Sequence, residues 1–204
     1  MNVTALALFC VWFVLIFVVR SWVQKRDTGD SGIRPGAFAA DASTSERVAY
    51  LLLIVAFAGA IAAPIAAIAG LDPLWHIDAL RWIGVAVAVA GIGLTYAAQV
   101  GMGSEWRIGI DRTEVTGLVT SGVFGLARNP IFTAMIFTAA GFALMVPNPI
   151  GIIALACLVV AIEMQVRFVE EPHLRRLHGP AYEQYTAEVG RFVPLIGRAA
   201  GSRR

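Results

Sequence analysis

Apolar residues run almost unbroken over positions 3–19, 48–71, 80–100, 131–146 and 150–168. Each run is close to the ~20 residues that carry a helix across ~30 Å of hydrocarbon. The fourth is the shortest, reaching only about 24 Å at ~1.5 Å per residue, which predicts a helix that begins earlier, tilts or is partly re-entrant. The pattern predicts an all-α integral membrane protein of about five transmembrane helices with a cytoplasmic C-terminal helical segment. Pro147, Asn148 and Pro149 leave room only for a tight antiparallel hairpin between the last two runs. Ser43 and Glu46 have the spacing of a capping box at the start of the second helix. Positions 21–42, rich in Gly, Asp and Ser, read as a mobile cytoplasmic linker. Small-residue spacings such as Gly84 and Ala88, or Ala58 and Ala62, suit close helix packing. The chain therefore divides into residues 1–100, three helices with a cytoplasmic linker over 20–47, and residues 101–204, a cytoplasmic loop, the hairpin 131–168 and a cytoplasmic tail.

Composition agrees with the pattern and excludes other classes. The 204 residues are 58% hydrophobic and 15% charged, against about 45–50% and about 25% in soluble domains. The mean hydropathy of +0.72 excludes a disordered chain. A net charge of +2 gives no electrostatic case for nucleic-acid binding. Placement of the charges says more. With the N-terminus outside, Arg81 is the one basic residue on the outer side, and the positive-inside rule favours that orientation with the C-terminus cytoplasmic. The first run lacks a basic leader and a small-residue cleavage site, so it is expected to remain as an anchor. Cys10 and Cys157 fall inside spans without metal-ligand spacing and read as buried core residues; His76, His173 and His178 form no ligand set with them, and no metal site is expected.

Ionisable groups at membrane depth are costly and are functional candidates by default. Apart from Arg81 at the outer edge of the third, charge is absent from the first four runs. In the fifth, Glu163 and Arg167 are four residues apart on one helical face, and Glu171 continues that face beside Glu170. For Glu163 and Arg167 a catalytic role stands against a structural ion pair, and for Glu170 and Glu171 a site stands against a solvated helix face. Between the third and fourth runs lies a glycine-rich stretch with Gly101, Gly103, Glu105, Trp106 and Arg107; the glycines could simply end a helix, and Trp106 could be an interfacial anchor. Downstream come Thr120-Ser121-Gly122, then Arg128-Asn129-Pro130-Ile131-Phe132, and after the fifth run Glu170-Glu171-Pro172, Gly179, Tyr182, Tyr185 and Arg191-Phe192-Val193-Pro194. All fall on one side of the membrane, which predicts a pocket closed by cytoplasmic segments over the inner ends of the last spans.

The order of these elements resembles the isoprenylcysteine carboxyl methyltransferase family and its phospholipid methyltransferase relatives. The shared features are Leu-Val-Thr-Ser-Gly-x-Phe, Arg-x-Pro-x-aromatic, an apolar hairpin, Glu-Glu-x-x-Leu, Gly-x-x-Tyr-x-x-Tyr and Arg-Phe-x-Pro. The resemblance covers about positions 99–194 and rests on order and spacing. It implies a membrane enzyme that binds S-adenosylmethionine in a cytoplasmic pocket. By position, Arg128, Asn129, Pro130 and Phe132 match the family's Arg-His-Pro-x-Tyr segment, Glu170 and Glu171 its paired glutamates, and Gly101 and Gly103 its cofactor glycines. Asn129 stands in place of the usual His and Phe132 in place of the usual Tyr.

On this reading Glu170 and Glu171 suit the ribose hydroxyls and the ammonium group. Tyr182 and Tyr185 either close over the adenine or pack as an ordinary helix face. Arg107 and Arg191 either orient a substrate carboxylate or contact lipid phosphates. The expected partners are a lipophilic substrate and membrane lipids. Two alternatives stand beside it: a membrane reductase using NADPH, which would want a basic cluster for the ribose phosphate, and a non-catalytic protein on the same scaffold.

Overall fold

The computed structural model describes residues 1–34, 36 and 42–199. Among the described residues, four helices are long and apolar enough to cross a membrane: α1 (Asn2–Thr28), α2 (Thr44–Ile68), α3 (Asp78–Gly101) and α5 (Pro149–His178). Between them lies α4 (Pro130–Met145), apolar but only 16 residues long. Of the about five transmembrane helices expected, four are long enough to span, and the fourth run, expected to be the shortest, forms a helix of only 16 residues. α4 is short because Pro130 opens it and the Pro147-Asn148-Pro149 turn closes it. Proline suits a first turn, where its missing N–H has no helical partner to lose. A further helix, α6 (Pro180–Glu188), follows α5.

The chain alternates in direction, so the second half of α1, the start of α2, the end of α3, the start of α4 and the second half of α5 share one end of the bundle. α3 packs along α4 and α2 along α5. Both seams depend on glycine. A Cβ on Gly91 would lie 2.4 Å from Thr138 Oγ1, and one on Gly141 would lie 2.5 Å from the Ala88 nitrogen. Gly59 meets Ala154 in the same manner. Helices in lipid gain little from burying apolar surface against each other, so this close approach of backbones carries the packing. Gly84 and Ala88 sit in the seam as expected, but Ala58 and Ala62 are exposed, and Gly59 and Ala63 face α5 instead. Cys10 is exposed and Cys157 half-buried, so neither is the buried core residue expected.

Asn148 fixes the hairpin. Its Oδ1 accepts from the Gly151 N–H at 2.9 Å, capping α5, while its Nδ2 donates to the Ala63 carbonyl at 2.9 Å and ties the turn to α2. At the start of α2, Ser43 Oγ accepts from the Glu46 N–H at 3.2 Å, but the Glu46 carboxylate turns away to Arg112 at 2.9 Å, so only half of the capping box forms.

The expected linker is largely structured. α1 runs on to Thr28 and ends on Gly29 in the left-handed conformation (φ 79°). Residues 32–34 then pair with Ile108: the Ile108 N–H donates to Gly32 O at 2.8 Å and the Arg34 N–H to Ile108 O at 2.9 Å. Pro35 and residues 37–41 of the expected linker lie outside the described residues.

Among the described residues, two π-helical turns interrupt the long helices, at Val14–Val19 in α1 and at Gln165–Glu170 in α5. Such turns displace the helical register and gather at functional sites. The first carries the Ile16 carbonyl, which accepts from Gln99 Nε2 of α3 at 3.3 Å. The second separates groups that simple periodicity placed together: Glu163 and Arg167 form an exposed ion pair before and within it, whereas Glu170 and Glu171 emerge from it toward the bundle interior.

Candidate functional site

A cavity of about 610 Å³ occupies the shared end of the bundle, within the range of small-molecule sites. Its deep wall is apolar, with Ile16 and Phe17 from α1, Leu53 from α2, Met135 from α4 and Ile162 from α5. Its mouth is polar and is built from residues 33, 34 and 36 and from three further segments, 106–119, 124–132 and the stretch from Gln165 to Tyr185.

The C-terminal segment is docked on the start of α4 by backbone pairing. The Arg128 N–H donates to Gly190 O at 2.8 Å and the Asn129 N–H to Arg191 O at 3.0 Å, while Asn129 Nδ2 donates to the same Arg191 carbonyl at 3.1 Å. Thr133 Oγ1 adds a bond to Phe192 O at 2.8 Å. Gly190 is confined: a Cβ there would stand 2.1 Å from the Val193 oxygen.

Glu171 locks this arrangement. Its carboxylate accepts from Arg191 Nε at 2.7 Å and Nη2 at 3.0 Å, and from Arg128 Nη2 at 2.9 Å. The buried Arg128 guanidinium also donates to the carbonyls of Thr186, Val189 and Gly197. Two arginines and one carboxylate thus close the tail onto the bundle, and the bond to Glu171 raises the pKa of Arg191.

Glu170 differs from its neighbour. It lines the cavity, and among the described residues its hydrogen-bond partner is Gln165 Nε2, at a long 3.4 Å. Among the described residues, its carboxylate is the one on the cavity wall that no arginine neutralises: Glu46 pairs with Arg112 and Glu171 with Arg128 and Arg191.

Tyr182 and Tyr185 close the same side, with ring centroids 6.3 Å apart. Tyr185 is anchored through its hydroxyl, which donates to Phe124 O at 2.6 Å. Burial pushes the Tyr185 hydroxyl up to about 12 and raises that of Tyr182 as well, with the Glu171 charge adding to the latter. Both phenols are therefore neutral donors at physiological pH.

The opposite lip is a charged latch. Arg34 is bidentate to Glu114 (Nε to Oε2 2.7 Å, Nη2 to Oε1 2.8 Å) and also donates to Asp30; Arg107 Nη2 reaches Glu114 at 3.0 Å. Bonds from Arg34, then Arg107, hold Glu114 at about 2, and Arg34 with the Gly32 N–H holds Asp30 at about 2. Behind the latch, Trp106 is only 1% exposed. Arg20 stacks on its ring at 4.7 Å and Gly32 presses against it. Trp106 is a buried plug, not an interfacial anchor. Because the folded pKa of Glu114 lies below its ordinary 4.5, the latch contributes its full stability above pH 4.5 and loses it as pH falls toward 2. Melting temperatures of the wild type and Glu114→Gln are expected to differ at neutral pH and to converge through that window; a difference that stays constant with pH would show that the Glu114 charge contributes nothing.

Of the residues singled out from sequence, Arg107, Arg128, Asn129, Pro130, Phe132, Glu170, Glu171, Tyr182 and Tyr185 all line the cavity. Gly101 and Gly103 lie beside it at the end of α3; the Gly103 carbonyl accepts from Arg20 Nη2 at 2.6 Å. Arg191 sits behind Glu171. Glu163 and Arg167 are paired with each other on an exposed face and do not reach the cavity, because the π turn separates their face from that of Glu170. Arg107 lines the cavity with its guanidinium engaged by Glu114, Ser104 O and Trp106 O. Sequence reasoning missed Arg34, Glu46, Tyr50 and Gln99. Gln99 carried a signal, being an amide near the end of an apolar run, whereas Arg34 lay in a stretch read as linker.

Spanning helices around a cavity that is apolar inside and polar at its mouth define an integral, multi-pass membrane protein. The chain belongs to the phospholipid methyltransferase family, whose profile matches residues 79–181. Protein-S-isoprenylcysteine O-methyltransferases B and A of Arabidopsis thaliana are 30% and 29% identical to it over 129 residues, 62% of this chain and 64% of theirs. A probable protein-S-isoprenylcysteine O-methyltransferase of Oryza sativa subsp. indica is 26% identical over 128 residues, 62% of this chain and 65% of that protein. The chain thus matches a little under two thirds of the length of these relatives. In fold it is similar to the solved eukaryotic intramembrane Ras methyltransferase, isoprenylcysteine carboxyl methyltransferase, with a TM-score of 0.58 at 19% identity, covering 96% of this chain and 69% of that one.

Proposed function

We propose that the protein is an S-adenosylmethionine-dependent membrane methyltransferase acting on a lipophilic acceptor. The observation that carries the reading is the unneutralised Glu170 carboxylate on the wall of a cavity whose other face is apolar. A carboxylate without a cationic partner favours a cationic ligand that also offers hydroxyl donors. Tyr182 beside it presents an aromatic edge and a phenolic donor. Family membership supports the same chemistry.

When bound, the cofactor supplies an activated methyl on a sulfonium. This chain's part is placement. Glu170 accepts hydrogen bonds from the ribose or the ammonium group, Arg128 and Asn129 hold the mouth through the docked tail, and Phe132 with Met135 keeps water from the acceptor. Methyl transfer needs the nucleophile, the methyl carbon and the sulfur in line, so rigid placement accounts for much of the barrier lowering. Glu171 acts through Arg128 and Arg191, as a positioning residue. Arg107 and Arg191 already pair with carboxylates, and orienting a substrate carboxylate would require either to exchange partners.

In this reading the cavity opens to the cytoplasm, with the N-terminus outside and the C-terminus inside. Among the described residues, Arg81 is the one Lys or Arg at the far end of the bundle, and the positive-inside rule then orients the molecule. A lipophilic acceptor enters sideways from the inner leaflet.

The lining arginines Arg34, Arg107 and Arg128 are each bound to a carboxylate, which leaves no free cationic cluster among the described lining residues for a ribose phosphate. Calorimetry on purified protein is therefore expected to show saturable binding of S-adenosylhomocysteine and none of NADPH. The reverse result would replace this reading with the reductase.

A further inference from the structure

A second void of about 40 Å³ lies inside the bundle, beyond the deep wall of the main cavity. It is apolar and lined by small side chains such as Ala60, Ala139 and Ala154, with aromatic rings of Phe57 and Phe142 beside them. The two spaces follow each other along each of the four helices that line both. On α1, Ile16 borders the main cavity and Trp12 the inner void; on α2, Leu53 and then Ala60; on α5, Ile162 and then Leu158. On α4, Met135 borders both. Phe132 to Val146 spans the combined path, about 21 Å at ~1.5 Å per residue.

We infer that the inner void is the terminal chamber of the acceptor's tail and that Met135 is the movable plug between it and the main cavity, so that this residue sets the tail length accepted. The inference rests on the proposed methyl transfer to a lipophilic acceptor. Close-packed interiors rarely leave room without cause, and here the room is aligned with the apolar end of the site. Methionine suits a plug: unbranched, with three rotatable side-chain bonds, it changes shape at little cost. The alanines around the void keep it from being filled when Met135 swings aside. A chamber lined this way stays dry and takes only hydrocarbon. The tail therefore threads along the bundle axis toward the opposite membrane face.

The test uses full-length protein in nanodiscs and N-acetyl-S-geranyl-, S-farnesyl- and S-geranylgeranyl-cysteine as acceptors. Met135→Ala, which widens the passage, is expected to raise the kcat/KM ratio of the longest over the shortest tail by about 10-fold, and Ala139→Leu, which fills the chamber, to lower that ratio by about 10-fold. Unchanged ratios in correctly folded variants would overturn the inference while leaving methyl transfer intact. A farnesyl probe with a terminal diazirine reads the same question without turnover. Labelling at Ala60, Phe142 or Leu155 supports the chamber, and labelling confined to Leu53 and Ile162, or absent from both groups, overturns it. If none of the acceptors gains a methyl group, the functional reading fails for this substrate class, and the labelling still decides where a tail resides.

Discussion

Replacing Glu170 by alanine is expected to weaken S-adenosylhomocysteine binding by about 10- to 100-fold while leaving the melting temperature unchanged. The size follows from a hydrogen bond to a charged group, worth about 1.5–3 kcal/mol. Stability is spared because the carboxylate has one long contact, to Gln165, and no ion pair to lose. Glu170→Gln keeps the shape and an acceptor oxygen but removes the charge, so it is expected to fall between. Undiminished affinity in Glu170→Ala would remove the carboxylate from the site. Equal losses of affinity and melting temperature would mark it as structural.

Glu171→Ala is expected to do the opposite in order of cause: the protein loses stability first and function as a result. The substitution leaves the buried Arg128 and the half-buried Arg191 without the carboxylate between them. Removing one member of a buried ion pair costs about 3–5 kcal/mol, because the partner charge stays desolvated. The three remaining carbonyl bonds of Arg128 offset part of that cost. Residues 190–197, held on the start of α4 by this network, are expected to release first, so limited proteolysis should cut there before the helices unfold. A stable variant with a protected tail would contradict the network. The two neighbouring glutamates thus separate into a cavity-lining group and a tail lock, a division their shared charge and adjacency conceal.

The helical spans were legible because apolar composition alone dictates them, and the shortness of α4 was legible from the run that encodes it. The clustering of Arg128, Glu170, Tyr182 and Tyr185 at one end followed from counting which loops share a side. Individual roles were not legible. Periodicity placed Glu163, Arg167 and Glu171 on one face, but the π turn at Gln165–Glu170 displaces the register and leaves the first two outside the site. A stretch rich in Gly, Asp and Ser read as linker because its partners lie some 80 positions away: Arg34 gains order from Glu114, and Gly32 from the Trp106 ring. For Trp106 an interfacial anchor stayed open as a reading because sequence does not reveal that Arg20 and Gly32 cover it. Long-range pairing decides each of these, and local pattern carries no trace of it.

The most direct test of the account is transfer of a labelled methyl group. Purified protein in nanodiscs, given S-adenosylmethionine labelled on its methyl and N-acetyl-S-farnesylcysteine or a membrane lipid extract, is expected to yield a lipophilic product heavier by one labelled methyl. Glu170→Ala should reduce that yield at least 10-fold. Folded wild-type protein that binds neither S-adenosylmethionine nor S-adenosylhomocysteine, and labels no lipophilic molecule, would contradict the account.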